Sequence, residues 1–199
     1  MKFTEPLPIS KKWSVAIRCL MYGWPIVVLA ILPFSILARI PPQNPIKALA
    51  VSTELEQAIQ RFHDDHGVLP IEVGADMTID CNSAKGMELL RVLMNQEESP
   101  SPRNAIGIKY LNVKQGNHNR DGLIWNDLGT EVLGLYDPWG GSYMIALDGD
   151  GNGEITVQPK AQKERRTLHR RVAVWSDGQD PQKAKDDVTT WEDGRVMAP

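Results

Sequence analysis

Cysteine is nearly absent, with two in 199 residues. That excludes a disulfide-rich scaffold and a zinc site built from cysteines. Net positive charge is absent too. The formal net charge is −3, which argues against general nucleic-acid binding, where a positive face must meet phosphates. No internal repeat occurs, and no glycine pattern of a dinucleotide fold or phosphate loop. No serine sits in a nucleophile elbow, and Cys81 has no histidine near it in sequence. These absences argue against an enzyme and leave no evident small-molecule substrate.

What is there is unevenly distributed. Residues 1–40 hold five basic side chains and one acid, a net of +4; the remaining seventeen basic and twenty-four acidic side chains give −7. The one long uncharged run lies between Arg18 and Arg39, reading CLMYGWPIVVLAILPFSILA. Its 20 residues match the roughly 20 that a helix needs to cross a bilayer core. Tyr22 and Trp24 suit the interface, and Pro25 and Pro33 are tolerated in membrane helices. A cleaved signal peptide is the competing reading, but the run is long and its end is a poor cleavage site. The division expected is a cytoplasmic N-terminus at 1–17, a retained transmembrane helix at 18–39, a proline-rich break at 40–45 and a body at 46–199. Basic residues on the N-terminal flank place that end in the cytoplasm and the body across the membrane.

The body starts with helical periodicity. Val51, Leu55, Ile59 and Phe62 make one apolar stripe from about Ile46, with Gly67 as the stop. A second helix is expected over about 83–95, capped by Asn82 or Ser83, with Met87, Leu90 and Leu93 or Met94 buried. Ile106, Ile108 and Tyr110 alternate as in a short strand, and 112–134 reads as an irregular excursion. Tyr143, Ile145 and Leu147, the turn Asp148–Gly153, then Ile155 and Val157 read as a hairpin. Arg171–Trp175 is a further strand. Helices first and strands later imply an α+β fold, with an amphipathic helix packed on a small antiparallel β-sheet.

Three stretches, in this order, resemble the type IV pilin-like family, in particular the major pseudopilin of type II secretion. Leu55–Pro70 is similar to the end of the family's long helix. Tyr136-Asp-Pro-Trp-Gly-Gly-Ser-Tyr143 resembles its Asp-Pro-Trp-Gly-x-x-Tyr signature, here Asp137, Pro138, Trp139, Gly140 and Tyr143. Val172-Ala-Val-Trp-Ser-Asp-Gly-Gln-Asp180 with Asp186, Asp187 and Trp191 resembles its calcium loop. The resemblance covers about residues 46–193. It implies a pilin-like domain in the periplasm, anchored in the inner membrane by a single span. Its partners would be pseudopilins or platform proteins of the secretion system, with copies of itself among them. It would act through protein–protein packing. The chain departs from the family at Lys2-Phe-Thr-Glu5, where no glycine precedes Phe3 and the prepilin peptidase motif is missing. The alternative is a membrane-tethered periplasmic calcium-binding or sensor module outside any filament.

The Asp-Pro-Trp-Gly element also reads without the family. Asp137 and Pro138 open a turn, the glycines permit positive φ, and Trp139 is expected to enter the core from it. Two loops are candidates for calcium, the only cofactor expected. The resemblance implies Ser176, Asp180, Asp186 and Asp187 as ligands, in a loop where Lys183 and Lys185 are the competing counter-ions. The second candidate is Asp148, Asp150 and Asn152, with oxygens at alternate positions and glycines between. Its twelfth position is Pro159, not glutamate, so an ordinary polar turn competes with an ion site. His63-Asp64-Asp65-His66 reads as the favourable end of a helix. The six basic residues of Lys160–Arg171 read as a solvated loop, or one docked on an acidic neighbour.

Overall fold

The computed structural model describes residues 43–192. Among them no helix is long and apolar enough to cross a membrane; the expected span at 18–39 lies outside the described residues. The described body is α+β, with a helix on a small antiparallel sheet.

Helix α1 runs Gln43–His66. It already includes Gln43–Pro45, the last residues of the expected proline-rich break. Ala48, Ser52, Leu55, Ala58, Ile59 and Phe62 are buried on one face. Gly67 follows in the left-handed region with φ 70°, and its N–H bonds to the His63 carbonyl at 2.7 Å. That is the expected glycine stop.

Strand β1 (Met77–Asp80) leads to helix α2 (Ala84–Leu93). Ser83 caps α2, its Oγ accepting the Gly86 N–H at 3.2 Å. Then come β2 (Gly122–Trp125), β3 (Val132–Tyr136), β4 (Tyr143–Leu147), β5 (Ile155–Val157), β6 (Arg166–Leu168), β7 (Val172–Ser176) and β8 (Val188–Thr189). The main sheet is antiparallel in the order β1-β4-β7-β8, with Tyr143 opposite Ser176 and Ile145 opposite Val174.

Three expectations change here. Residues 105–111 form no strand, and Ile106 and Ile108 are exposed. Its backbone bonds to the end of α2 and to Asn104 and not to a neighbouring strand, with Tyr110 N–H on the Leu93 carbonyl at 2.8 Å and Ile108 N–H on Asn104 Oδ1 at 3.2 Å, so periodicity alone does not make a strand. The supposed excursion contains the β2–β3 hairpin, with Leu123 opposite Leu135. Its turn residues masked a short but buried strand pair. The expected β4–β5 hairpin is not formed. β4 pairs with β1 and β7, while β5 leaves the sheet to pair with β6. Ala146 and Leu147 are both buried, so β4 is a central strand, covered on both faces.

The sheet separates two apolar clusters. On one face Leu55, Ile59 and Phe62 of α1 and Leu89, Leu90 and Leu93 of α2 meet Ile145, Leu147, Val172 and Val174. On the other, the β5–β6 ribbon lays Ile155, Val157 and Leu168 over Ala146, Ala173 and Trp175, with Trp191 edge-on to Trp175. The two-residue alternation of β7 therefore serves both clusters. Arg170 Nη1 reaches Glu56 Oε1 at 3.3 Å and ties α1 to the β6–β7 connection. Burial pushes the Glu56 carboxyl up, with Thr190 and Arg170 working against it.

Candidate functional site

The Asp-Pro-Trp-Gly turn and the start of the C-terminal loop meet. Asp137 follows β3 and is 1% exposed. Its Oδ1 accepts the N–H groups of Trp139 at 2.9 Å and Gly141 at 2.8 Å. Its Oδ2 accepts the Ser176 hydroxyl at 2.6 Å. Ser176 Oγ in turn accepts the Gly178 N–H at 3.1 Å. The buried carboxylate is thus enclosed by donors, as a low-dielectric site requires. The backbone closes the same turn, with Asp137 N–H on the Gly141 carbonyl and Gly140 N–H on the Asp137 carbonyl. Gly140 has φ 97°. A Cβ at Gly141 would come to 2.8 Å from Asp137 Oδ2, so the carboxylate needs a glycine there.

Trp139 does not enter the core; it is half-buried. The turn instead aims the Asp137 carboxylate inward and leaves the indole at the surface. Tyr143 takes the interior position, fully buried, and its hydroxyl has no hydrogen-bond partner among the described residues. Burial pushes its phenol up, with Asp137, Asp121 and Cys81 adding to the effect.

The C-terminal loop does not gather its carboxylates around one point among the described residues. Asp180 pairs with Lys183 at 2.6 Å, as the competing counter-ion reading expects. Ser176 is engaged by Asp137. Asp187 Oδ2 accepts a hydrogen bond from Gln162 Nε2 at 3.2 Å, while its buried Oδ1 has no partner among the described residues. Burial pushes the Asp187 carboxyl up to about 6, with Asp177, Asp186 and Glu192 adding repulsion against the help of Gln162. Gly178 shapes the loop: φ is 69°, and a Cβ there would overlap the Asp186 carbonyl.

The second loop does gather acids, with a residue that sequence reading missed. Asp76, Asp148 and Asp150 can place one oxygen each within 4.8 Å of one another. Asn152 is turned to its own backbone, its Oδ1 accepting the Glu154 N–H at 2.7 Å. Asp148 is buried and already accepts N–H groups of Gly151 at 2.7 Å and Gly153 at 2.9 Å. Asp76 accepts the Gly149 N–H at 3.1 Å. The loop is therefore a satisfied polar turn whose outer oxygens face a third carboxylate. No local signal marks Asp76, because the pairing of β1 with β4 brings it there.

Two polar clusters elsewhere have structural partners. Tyr110 donates its hydroxyl to Asp65 Oδ2 at 2.8 Å and lies 3.2 Å from His66 Nε2. His66 stacks on Phe62 at 4.2 Å between centroids. Burial, then Asp65, pushes the Tyr110 phenol up to about 12. Asn82 receives the Leu135 N–H at 2.8 Å and donates to the Leu135 carbonyl at 3.2 Å, binding the segment before α2 to β3.

No family model, no curated protein and no solved structure matches this chain.

Two predictions follow from this geometry. A double-mutant cycle of Asp137→Ala and Ser176→Ala, read by urea unfolding, should give a coupling energy of about 1–3 kcal/mol. Additive losses would show that the two motifs are not joined energetically. For Asp187 the sign is fixed by its raised carboxyl. From 3.8 to about 6 the folded chain holds a proton that the unfolded chain has released. The stability from this group is complete below the unfolded value and is lost as pH rises through about 6. Asp187→Asn should flatten that decline, so the variant gains melting temperature over the parent at neutral pH and not in acid.

Proposed function

We propose that this chain is a pilin-like structural and assembly component of a type II secretion-like system. It is held at the inner membrane by its N-terminal span and acts through protein–protein packing in the periplasm. The observation that carries this reading is the joining of two motifs by one buried bond, Ser176 to Asp137, behind a helix laid on an antiparallel sheet. A turn that only reversed the chain would not need a buried carboxylate. Here the carboxylate holds the C-terminal loop in place and stiffens one end of the body. A body whose two motifs are locked together suits a packing subunit better than a catalyst. The clusters of Asp65, His66 and Tyr110 and of Asp137 and Ser176 are closed on themselves, with no free nucleophile beside a base.

The test is site-specific photocrosslinking from exposed body positions in the native membrane. Adducts with pseudopilins or secretion platform proteins are expected. Recovery of only unrelated partners would sink the reading.

A second reading, a tethered calcium-binding module, is favoured by one observation, the approach of Asp76 to Asp148 and Asp150. Three carboxylates with little mutual neutralisation suit a hard cation. Calcium should then raise the melting temperature of the full chain, and Asp76→Asn should abolish the rise. If Asp187→Asn abolishes it instead, the ion sits in the C-terminal loop. No rise in the parent chain removes calcium from the account.

A further inference from the structure

The sheet face turned away from α1 is only partly covered. The β5–β6 ribbon shields one end of it. At the other end a cleft of about 530 Å³ opens between the ribbon, the Asp137 turn and the C-terminal loop. Met144 and Trp175 form its apolar floor, and Asp80, Asp137 and Asp177 stand around it against one cation, Lys160.

The charge in this cleft is not balanced from within. Asp137 is spent on Ser176 and the turn. Among the described residues Asp80 Oδ1 accepts only the Asn82 N–H at 2.8 Å, and Asp177 Oδ1 only the Lys160 N–H at 3.4 Å. Among the described residues neither Asp80 nor Asp177 has an ion-pair partner. The complement lies next to it. The β5–β6 connection, which supplies Lys160 to the rim, also carries Lys163 and Arg165, both exposed. Neither has an ion-pair partner among the described residues; Arg165 touches only Gln158 Oε1, at 3.3 Å. Glu164 between them offsets one charge of three. Gln158, which lines the cleft, accepts from Arg165 Nε and donates to the Lys163 carbonyl at 3.4 Å, so the basic ridge adjoins the acidic cleft.

We propose that this face pairs with the same face of a second copy, each basic ridge entering the other's acidic cleft. A twofold interface is self-complementary: what one copy offers at one point, the other must receive there. Adjacent patches of opposite charge meet that condition, whereas an acidic cleft alone would call only for an unrelated cation. The stems of Lys163 and Arg165 lie against Met144, the half-buried part of the floor, while their heads reach Asp80 and Asp177. Exposed ion pairs are individually weak and screened by salt, so the dimer is concentration-dependent and favours low ionic strength. This association needs neither the secretion reading nor an ion, and it survives the failure of either.

Sedimentation velocity of the full chain in a non-ionic detergent tests it. The parent should form a dimer at low salt that weakens by about tenfold or more at high salt. D80K/D177K and K163E/R165E should each be monomeric alone and should dimerise when mixed, because mixing restores both sets of pairs. Thermal melts of each variant keep a folding defect distinct from a lost interface. A parent that stays monomeric overturns the proposal. So does a dimer that both variants retain, or a folded pair of variants that fails to associate on mixing.

Discussion

A carboxylate buried beside a sheet must be enclosed by donors, and Asp137 imposes that requirement on its surroundings. Two backbone N–H groups fix the shape of its own turn, and the Ser176 hydroxyl fixes the end of β7. The last donor is the consequential one. It makes the C-terminal loop start at a defined point, 39 residues along the chain. It also explains Gly141, which leaves room for the carboxylate. Removing Asp137 would strand Ser176 and release the turn together, so the cost exceeds one hydrogen bond.

β7 links this polar lock to the apolar interior. Every residue of Val172–Ser176 is buried. Val172 and Val174 face α1 and α2, while Ala173 and Trp175 face the ribbon. Both apolar clusters are therefore anchored on one five-residue strand. Hydrophobic burial supplies the energy, and the lock supplies the register. The edge of this arrangement is less settled electrostatically. Asp187 lies partly buried among other acids, so its charged form is disfavoured by burial and by their repulsion.

Much of the helical part was legible from the sequence. The stripe Leu55, Ile59, Phe62 and the stop at Gly67 are local features, set by helical period and by a conformation that glycine adopts freely. Ser83 as a cap is equally local. The strands were less legible. The segment Tyr143–Leu147 could be seen as a strand, but its neighbours could not. A tight turn after it suggested β5, whereas the sheet gave it β1 and β7. Ile106 and Ile108 alternated correctly and found no partner strand. Of the candidate site, the turn residues Asp137 and Gly140 were legible as a turn; the depth of Asp137 and the surface position of Trp139 were not.

By itself the sequence determined the glycine stop of α1, the bounds of α2 to within a few residues, the turn chemistry of Asp137–Gly140 and a strand expected at Arg171–Trp175 that lies at Val172–Ser176. These depend on neighbours within a few positions, where backbone sterics and side-chain period decide. Only the tertiary structure decided that Ser176 bonds to Asp137, that Asp76 joins Asp148 and Asp150, and that an acidic cleft lies beside Lys163 and Arg165. Each of these joins residues brought together by strand pairing. Pairing is chosen by how the whole apolar surface can be buried at once, and no local window contains that information.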